Sequence, residues 1–306
     1  MAERSWIVDK LGAEAFERLA RELSGSELQS VLLELMQQRA QARSPARVLE
    51  QFERDGFCRP APVDQRALVD IDRELLAAAV PFEAIELSPL SPLASCTAVA
   101  LTAQNRVVSA LRQTEVVSDP TNVLALECAL RLRTDASRPA HFATSQRVVR
   151  AQPVPKLPGY AQHYRIFVLA SGGVEAKDHG FTVQTLVLHI QTMLAALQRL
   201  ELVGYLFGAP RVEILATKAR AAVADRIAES CGAPAARKPL EHAYYSGGLR
   251  YQVWVTAPDG SELPLIDGGA FDWLSKLTSN RRAVFVASGA GAQLIALRFA
   301  SGAAVG

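Results

Sequence analysis

Two strand-like segments carry arginine and aromatic side chains that could handle a negatively charged ligand. The first segment ends with Arg150 and Gln152. The second starts at His163 and carries Arg165 and Phe167. A fixed guanidinium can bind a phosphate or carboxylate through two hydrogen bonds, and it can stabilise charge that develops during a reaction. An aromatic ring beside it offers a flat face on which a second ring can stack.

Each of these residues also has a plainer interpretation, which the sequence leaves open. Arg150 could be a surface arginine on a strand, and Phe167 could be a core aromatic, because aromatic residues on apolar strands usually pack. Asp272, further along the chain, could cap a turn or a helix. The five histidines show no metal-ligand spacing, so we predict no metal site. His163 precedes the second strand and could face a ligand.

Two glycine-containing segments and a tyrosine pair accompany these strands. Residues 263–274 contain a Gly-Gly pair, which we predict to be a turn, followed by an aromatic-Asp pair that ends at Asp272. Residues 288–294 contain a Gly-x-Gly strand. Tyr244 and Tyr245 precede a further glycine. A tyrosine pair is also a common strand-edge element, because tyrosine favours strands.

A β-hairpin is needed to bring the arginine-bearing strands together. Pro153, Pro155 and Pro158 lie between the two segments and mark a loop. Strand, loop and strand therefore predict a long hairpin.

The chain before this hairpin divides into helices and a mixed region. Asp64 begins a helix, and an alternating strand over 82–89 follows it and ends in proline. Strand-like stretches are predicted at 97–101 and 106–111, and Asp119 caps the next helix. Short strands separated by long helices indicate a mixed α+β domain.

The first 55 residues read mostly as helices with an apolar stripe. Ser26 with Gln29 fits a capping box, and Ser44 followed by proline fits a helix start. The stripe either packs within the subunit or contacts another subunit or a partner protein. We divide the chain into a helical N-terminal extension, 1–60, and a core, 61–306. The stripe comprises Leu19, Leu23, Leu28, Val31, Leu32, Leu35 and Met36.

The order and spacing of these segments resemble the core of class II aminoacyl-tRNA synthetases, above all the histidyl-tRNA synthetase group. The hairpin is similar to the family's motif 2, Arg-x-Glu, loop, Arg-Glu-Phe. Arg150 matches the first Arg and Gln152 replaces the Glu, while Arg165 and Phe167 match the second half. The resemblance covers about residues 64–300. It implies an antiparallel sheet flanked by helices and an ATP site at these four residues, with Mg²⁺ if the chain is active.

Several charged positions of the family are altered. The family reads Gly-Gly-Arg-Tyr-Asp where this chain has Ala270 in place of the Arg. The family's motif 3, Gly-x-Gly-x-Glu-Arg, ends here in Gln293 and Leu294, so its ATP-clamping Arg is missing. Arg298, one helical turn later, is the candidate replacement.

The family's amino-acid pocket is also altered. Its Tyr-Tyr-Thr-Gly segment is matched at the tyrosine pair, but the preceding Arg and Asp correspond to Leu240 and Ala243. These departures argue against histidine as the substrate. The candidate substrate-binding residues that the resemblance implies are Tyr244, Tyr245, Asp272 and His163.

Composition restricts the partners and the location of the protein. A net charge of +2 on 306 residues gives no bulk electrostatic reason to expect nucleic acid. The four cysteines are too widely separated for a close-spaced zinc or redox pair, which fits reduced thiols. We predict no secretory signal, no stretch apolar enough to span a bilayer and hence a cytoplasmic protein without membrane association.

Three functional hypotheses follow. The first is a diverged class II synthetase paralogue that acts as a regulatory or ligand-binding subunit without charging tRNA, similar to the regulatory subunit of ATP phosphoribosyltransferase. The second is an ATP-dependent ligase that adenylates an amino acid and passes it to a small amine or carrier protein. The third is a structural dimer without a ligand.

In the family, the motif 1 region, here the helix from Asp64 and the strand 82–89, forms the dimer interface, so we expect a homodimer. The N-terminal helices could recruit a protein partner.

Overall fold

The computed structural model describes residues 2–154 and 160–301. Pro155 and Pro158 of the predicted loop lie outside the described residues.

Four helices form the N-terminal extension. They are α1 (Ala2–Leu11), α2 (Ala13–Glu17), α3 (Gly25–Gln41) and α4 (Pro45–Arg54), with one π-helical turn at Arg18–Glu22.

The helix starts in this extension are set by side-chain caps. A capping box is present at the start of α3, but its residues are Ser24 and Glu27, two positions before the predicted pair. Ser44 caps α4 as predicted. Of the described side chains from residue 6 to residue 67, none is buried. The leucine stripe is therefore not part of a core within this chain.

An eight-stranded sheet forms the centre of the rest of the molecule. Its strands lie in the order β1-β5-β6-β11-β10-β9-β7-β8. The six central strands are antiparallel, and β1 and β8 add parallel pairs at the two edges. This agrees with the predicted α+β class. The strands are β1 (Glu83–Ala84), β5 (Ala140–Val149), β6 (His163–Val174), β7 (Arg211–Ala216), β8 (Ala235–Pro239), β9 (Leu249–Thr256), β10 (Glu262–Phe271) and β11 (Ala283–Ala290).

Helices cover both faces of this sheet. The first face packs on α5 (Gln65–Ala78), α7 (Gly180–Leu202), α8 (Ala221–Ser230) and α10 (Ala292–Arg298). The second face packs on α6 (Pro120–Thr134) and α9 (Trp273–Thr278) and is otherwise open. Asp119 caps α6 as predicted, accepting a hydrogen bond from the backbone N–H of Thr121.

The region between α5 and α6 differs from the predicted strands. Only Glu83–Ala84 of the strand 82–89 joins the sheet, and Ser95–Val99 is a π-helical turn where a strand was predicted. A second sheet, of order β2-β4-β3, consists of β2 (Leu90–Pro92), β3 (Ser109–Ala110) and β4 (Thr114–Val116). The cause is Glu115, whose buried carboxylate accepts hydrogen bonds from the backbone N–H groups of Ala94 and Cys96, each at 2.9 Å. This long-range contact outweighs the local strand preference.

Helix α7 with its preceding turn, Lys177–Leu202, has the length and apolar composition of a membrane-spanning helix. The prediction that no segment reaches this limit is therefore wrong on length and composition. Most of its apolar stretch, 61%, is buried against the first face of the sheet. The apolar composition is explained by this burial in the core of a globular domain.

The Gly268-Gly269 pair lies inside strand β10, not in the predicted turn. A Cβ atom on Gly269 would lie 2.4 Å from the carbonyl oxygen of Leu249 and 2.5 Å from the ring of Tyr245. A Cβ atom on Gly268 would lie 2.4 Å from the hydroxyl of Ser288 on the other face. Both glycines are needed because backbone and side chains approach the strand closely on both faces.

A buried polar chain links the first face of the sheet to α7. His189 lies between two hydroxyl groups, with Nε2 at 2.8 Å from Ser171 and Nδ1 at 2.8 Å from Ser288. Ser171 also contacts Nδ1 of His141 at 2.7 Å. Burial, with a smaller effect of His141, lowers the pKa of His189 to about 3.

Replacing Gly269 with alanine should destabilise the fold by about 3 kcal/mol, because the added methyl group overpacks a strand that cannot move away from Leu249. The matched control is Gly180→Ala at the start of α7, where φ is negative and the nearest atom to an added Cβ lies at 3.4 Å. That variant should change stability by about 1 kcal/mol or less. Urea unfolding measures both; equal effects would contradict the close approach.

Acidification should destabilise the protein through His189. Its ordinary pKa of about 6.5 applies to the unfolded chain, which therefore binds a proton that the folded chain rejects. The stabilising contribution is complete above pH 6.5 and is lost as pH falls toward 3. Between pH 7 and pH 5 the loss should be about 2 kcal/mol.

The comparison for this test is a His189→Gln variant studied by urea unfolding at several pH values. Its stability should fall less steeply than that of the unaltered protein across this range. Parallel pH profiles for the two proteins would show that His189 is not the titrating group.

Candidate functional site

A cleft of about 550 Å³ opens on the second face of the sheet. It lies between the end of the β5–β6 hairpin, the tyrosine pair before β9 and the segment that leads into α6. Its polar and aromatic lining includes Arg106, Asp119, Arg150, Tyr164, Tyr244 and Asp267.

Arg150 lies at the end of the hairpin and points into this cleft. Its Nε donates a hydrogen bond to the carbonyl oxygen of Ser118 at 3.1 Å, and its Nη2 lies 3.8 Å from the carboxylate of Asp119. The guanidinium also lies 5.3 Å from the ring centre of Tyr164, a cation–π distance. These contacts fix the cation while part of its surface remains accessible for an anionic group.

Aromatic rings form one wall of the cleft. Tyr244 meets Tyr245 and Phe271 edge to face, with ring centres 5.4 Å apart in each pair. Phe271 is tilted against Trp273 at 4.3 Å. Burial is the main cause that raises the pKa of both tyrosines, so both hydroxyl groups stay protonated at neutral pH. The wall is therefore aromatic and uncharged.

Asp267 is the centre of a polar network on the floor of the cleft. It accepts hydrogen bonds from the hydroxyl of Tyr245 at 2.5 Å and from Nε of Arg250 at 3.0 Å, and it forms an ion pair with Arg250 Nη2. Arg250 also lies 4.9 Å from the ring centre of Tyr245. The absence of a side chain at Gly269 leaves room for that ring. The Gly-Gly pair therefore positions the tyrosine wall over Asp267.

A second polar group lies where α6 begins. The Sγ of Cys96 is 2.9 Å from the hydroxyl of Ser118 and accepts from Nδ2 of Asn122 at 2.8 Å. Burial raises the pKa of Cys96, which keeps the thiol protonated and unreactive. All four cysteines are free thiols.

The structure separates the candidate residues of the hairpin. Arg150, Gln152, Tyr244 and Tyr245 line the cleft. Arg165, Phe167 and His163 project from the opposite face of the sheet. Phe167 is fully buried in the core there, and Arg165 binds the carboxylate of Asp72. Their predicted grouping with Arg150 is corrected: they cannot contact a ligand in the cleft.

Strand alternation explains this correction. Val148 pairs with Tyr164 and Arg147 pairs with Arg165, so even-numbered residues of both strands face the cleft. The sequence does not reveal this register, because it depends on the conformation of the loop between the strands. Tyr164 and Ile166, which do line the cleft, were missed for the same reason.

The two remaining candidates lie outside the cleft lining. Arg298 binds the carboxylate of Asp259 at 2.6 Å and cannot replace the missing motif 3 arginine in this conformation. Asp272 accepts from the hydroxyl of Ser246 at 2.6 Å and pairs with Lys276 at 2.8 Å. Burial acts to raise the pKa of Asp272, but the contacts with Lys276 and Ser246 outweigh it and lower the pKa. Asp272 therefore holds Ser246, the residue that follows the tyrosine pair, and does not face the cleft.

A smaller apolar cavity of about 220 Å³ adjoins the cleft beyond Arg150. Leu294, at the position of the missing arginine, lines this cavity together with Val154 and Tyr160. Arg150 and Gln152 stand at the boundary and line both spaces. The site thus combines a polar cleft with an apolar extension.

No family model matches the sequence, and no curated protein matches it. Solved structures, in contrast, do match this chain. An ATP phosphoribosyltransferase regulatory subunit/histidyl-tRNA synthetase from Bacillus halodurans C aligns over 78% of this chain and 82% of its own, with a TM-score of 0.58 and 15% identity.

Two synthetases show the same likeness. Apo histidyl-tRNA synthetase from S. aureus has a TM-score of 0.55 at 12% identity, over 77% of this chain and 66% of its own. Threonyl-tRNA synthetase from Cryptosporidium parvum Iowa II, solved as its RNA-binding domain, has a TM-score of 0.58 at 10% identity, over 76% and 64%. At these identities the likeness concerns the fold. The chain has a class II aminoacyl-tRNA synthetase-like fold, and the predicted resemblance is confirmed at that level.

Proposed function

We propose that this chain is a class II synthetase-like regulatory or ligand-binding subunit that binds a small amino-acid-like molecule in the cleft and does not charge tRNA. The observation that carries the proposal is the charge pattern around Arg150. Arg150 faces the cleft, while Leu294 occupies the position of the second ATP-binding cation and Arg298 is engaged with Asp259.

A nucleoside triphosphate is poorly matched to this pattern. Enzymes that transfer phosphoryl or nucleotidyl groups surround the polyphosphate with several cationic groups and Mg²⁺. Among the described residues, the arginines and lysines that line the cleft are Arg106 and Arg150. The carboxylates that line it are Asp119 and Asp267, and Asp267 is already paired with Arg250. With Arg250 included, these five side chains carry one net positive charge, which suits a zwitterion better than a polyanion.

The apolar cavity indicates that the expected ligand has an apolar portion. A molecule whose carboxylate binds Arg150 could place an apolar side chain beside Leu294 and Val154. Burying that group would add affinity through the hydrophobic effect. We therefore favour an amino acid or amino-acid derivative with an apolar portion.

The regulatory role is supported by analogy and by exposed surface. One similar structure is an ATP phosphoribosyltransferase regulatory subunit/histidyl-tRNA synthetase, and this chain covers most of its length. Apolar residues on α3 and α4 are exposed and suit a protein partner, namely Val31, Leu35, Met36, Val48, Leu49 and Phe52. A homodimer through the motif 1-like region is proposed because apolar residues near it are exposed as well, namely Val69, Val80, Leu90 and Leu93. We keep a cytoplasmic location, without tRNA or membrane, as part of this proposal.

The second candidate function is an ATP-dependent ligase that adenylates a carboxylate. The cleft-facing position of Arg150 favours it, since a guanidinium there could contact an α-phosphate. Two of its three expected ATP residues, Arg165 and Phe167, lie on the other face of the sheet. For this reason we rank the ligase second.

A thermal-shift screen with single amino acids and with Mg-ATP should identify a stabilising amino acid. A ligand present at a hundredfold excess over its Kd should raise the Tm by roughly 4–8 °C. In an Arg150→Ala variant the affinity should fall at least about tenfold, because the carboxylate loses its charged partner. The matched control is Arg281→Ala, which removes an exposed arginine between α9 and β11.

ATP–pyrophosphate exchange separates the two candidates. The binding subunit should show exchange at background with every amino acid that stabilises it. Exchange that depends on Arg150 would establish the ligase instead. If neither an amino acid nor ATP shifts the Tm, the remaining hypothesis is a structural dimer without a ligand.

A further inference from the structure

A second cavity, of about 340 Å³, lies on the first face of the sheet, opposite the cleft. The start of α5 and the segment that precedes it, from Pro60 to Leu68, form one side. Arg147 of β5, Arg165 of β6 and Asp72 of α5 provide its charged lining.

The two arginines are direct cross-strand partners. Arg147 pairs with Arg165 in the register of the β5–β6 hairpin, so their side chains leave the same face of the sheet next to each other. Like charges at directly opposed strand positions are destabilising unless something neutralises them. Two adjacent guanidinium groups therefore require two negative charges close by.

Asp72 neutralises only Arg165. Its Oδ2 accepts from Nε of Arg165 at 2.9 Å and from Nη2 at 2.6 Å. Its Oδ1 is taken by the hydroxyl of Ser145 at 2.5 Å. The carboxylate is therefore committed to one of the two guanidinium groups.

Arg147 has neutral partners. Its Nη1 donates to Nδ1 of His163 at 2.9 Å and lies 3.3 Å from Oε1 of Gln293. His163 in turn donates from Nε2 to the carbonyl oxygen of Arg59 at 2.6 Å, which fixes it as the Nε2–H tautomer. Within residues 2–154 and 160–301, no carboxylate lies at ion-pair distance from Arg147. Burial, with the positive charge of Arg165, lowers the pKa of Arg147.

A buried donor beside Arg147 also lacks a partner. Gln293 is 1% exposed, and among the described residues its Nε2 has no hydrogen-bond partner. An unpaired buried donor costs about 1–3 kcal/mol. Arg147, a half-buried cation without a counter-charge, therefore lines the cavity, and the orphaned amide belongs to its hydrogen-bond partner Gln293.

We propose that this cavity binds a small oxyanion, a carboxylate or phosphate group, held between Arg147 and Arg165. The Nε and Nη2 of Arg147 and the Nη1 of Arg165 remain as donors once the contacts above are counted among the described residues. Asp72 leaves the cavity with one net positive charge from these three side chains, which matches a singly charged group. The site is separate from the cleft, because the sheet lies between them.

The test is the dependence of Tm on inorganic phosphate, and separately on acetate, at constant ionic strength set with NaCl. Either anion should raise the Tm saturably, by about 2–4 °C at high occupancy. Arg147→Gln should lose this rise, while Arg281→Gln, at an exposed arginine between α9 and β11, should keep it. A response to phosphate alone or to acetate alone identifies which oxyanion the site prefers.

Two outcomes would overturn the proposal. One is a Tm that is the same in phosphate, acetate and chloride; the other is an undiminished rise in Arg147→Gln. If Arg147→Gln does not fold, a second measurement replaces the melting experiment. The phosphorus-31 line width of phosphate is then compared between the unaltered protein and Arg147→Lys. Phosphate binding should broaden the line with the former more than with the latter, and no broadening with either protein would refute phosphate binding.

Discussion

The register of the β5–β6 hairpin decides which chemistry each face of the sheet can perform. With Val148 opposite Tyr164, the even-numbered residues of the hairpin face the cleft, and the odd-numbered residues face the opposite side of the sheet, which packs on α5 and α7. Arg150 therefore lies beside the tyrosine wall, while Arg147 and Arg165 lie together on the other side. A shift of one residue would exchange both sets.

Helix caps and strong strand patterns made much of the fold predictable. The hairpin and the start of α6 at Asp119 follow from local signals that agree with their burial. The predicted Gly-x-Gly strand at 288–294 is wrong beyond Ala290, because β11 ends there and Ala292 begins α10. The π-helical turn at Ser95–Val99 does not follow from local signals, because the carboxylate that fixes it comes from Glu115, far along the chain. The candidate site divides in the same way. Residue type identified Arg150 and the tyrosine pair, but only the register could exclude Phe167.

The Gly-Gly pair in β10 connects this architecture to the cleft. Gly269 allows the ring of Tyr245 to lie on the strand and its hydroxyl to reach Asp267, which also binds Arg250. Leu294, which follows β11, lines the space beyond Arg150 together with other apolar side chains. The result is a cleft with both signs of charge beside an apolar cavity, and this combination is the basis of the proposal that it binds a small zwitterion.

Calorimetric titration of the unaltered protein with Mg-ATP and with an amino acid that stabilises it tests this account most directly. We predict saturable heat from the amino acid, abolished in Arg150→Ala, and no measurable binding of Mg-ATP at millimolar concentration. Micromolar binding of Mg-ATP that also depends on Arg150 would contradict the account, because the cleft would then hold a polyphosphate despite Leu294.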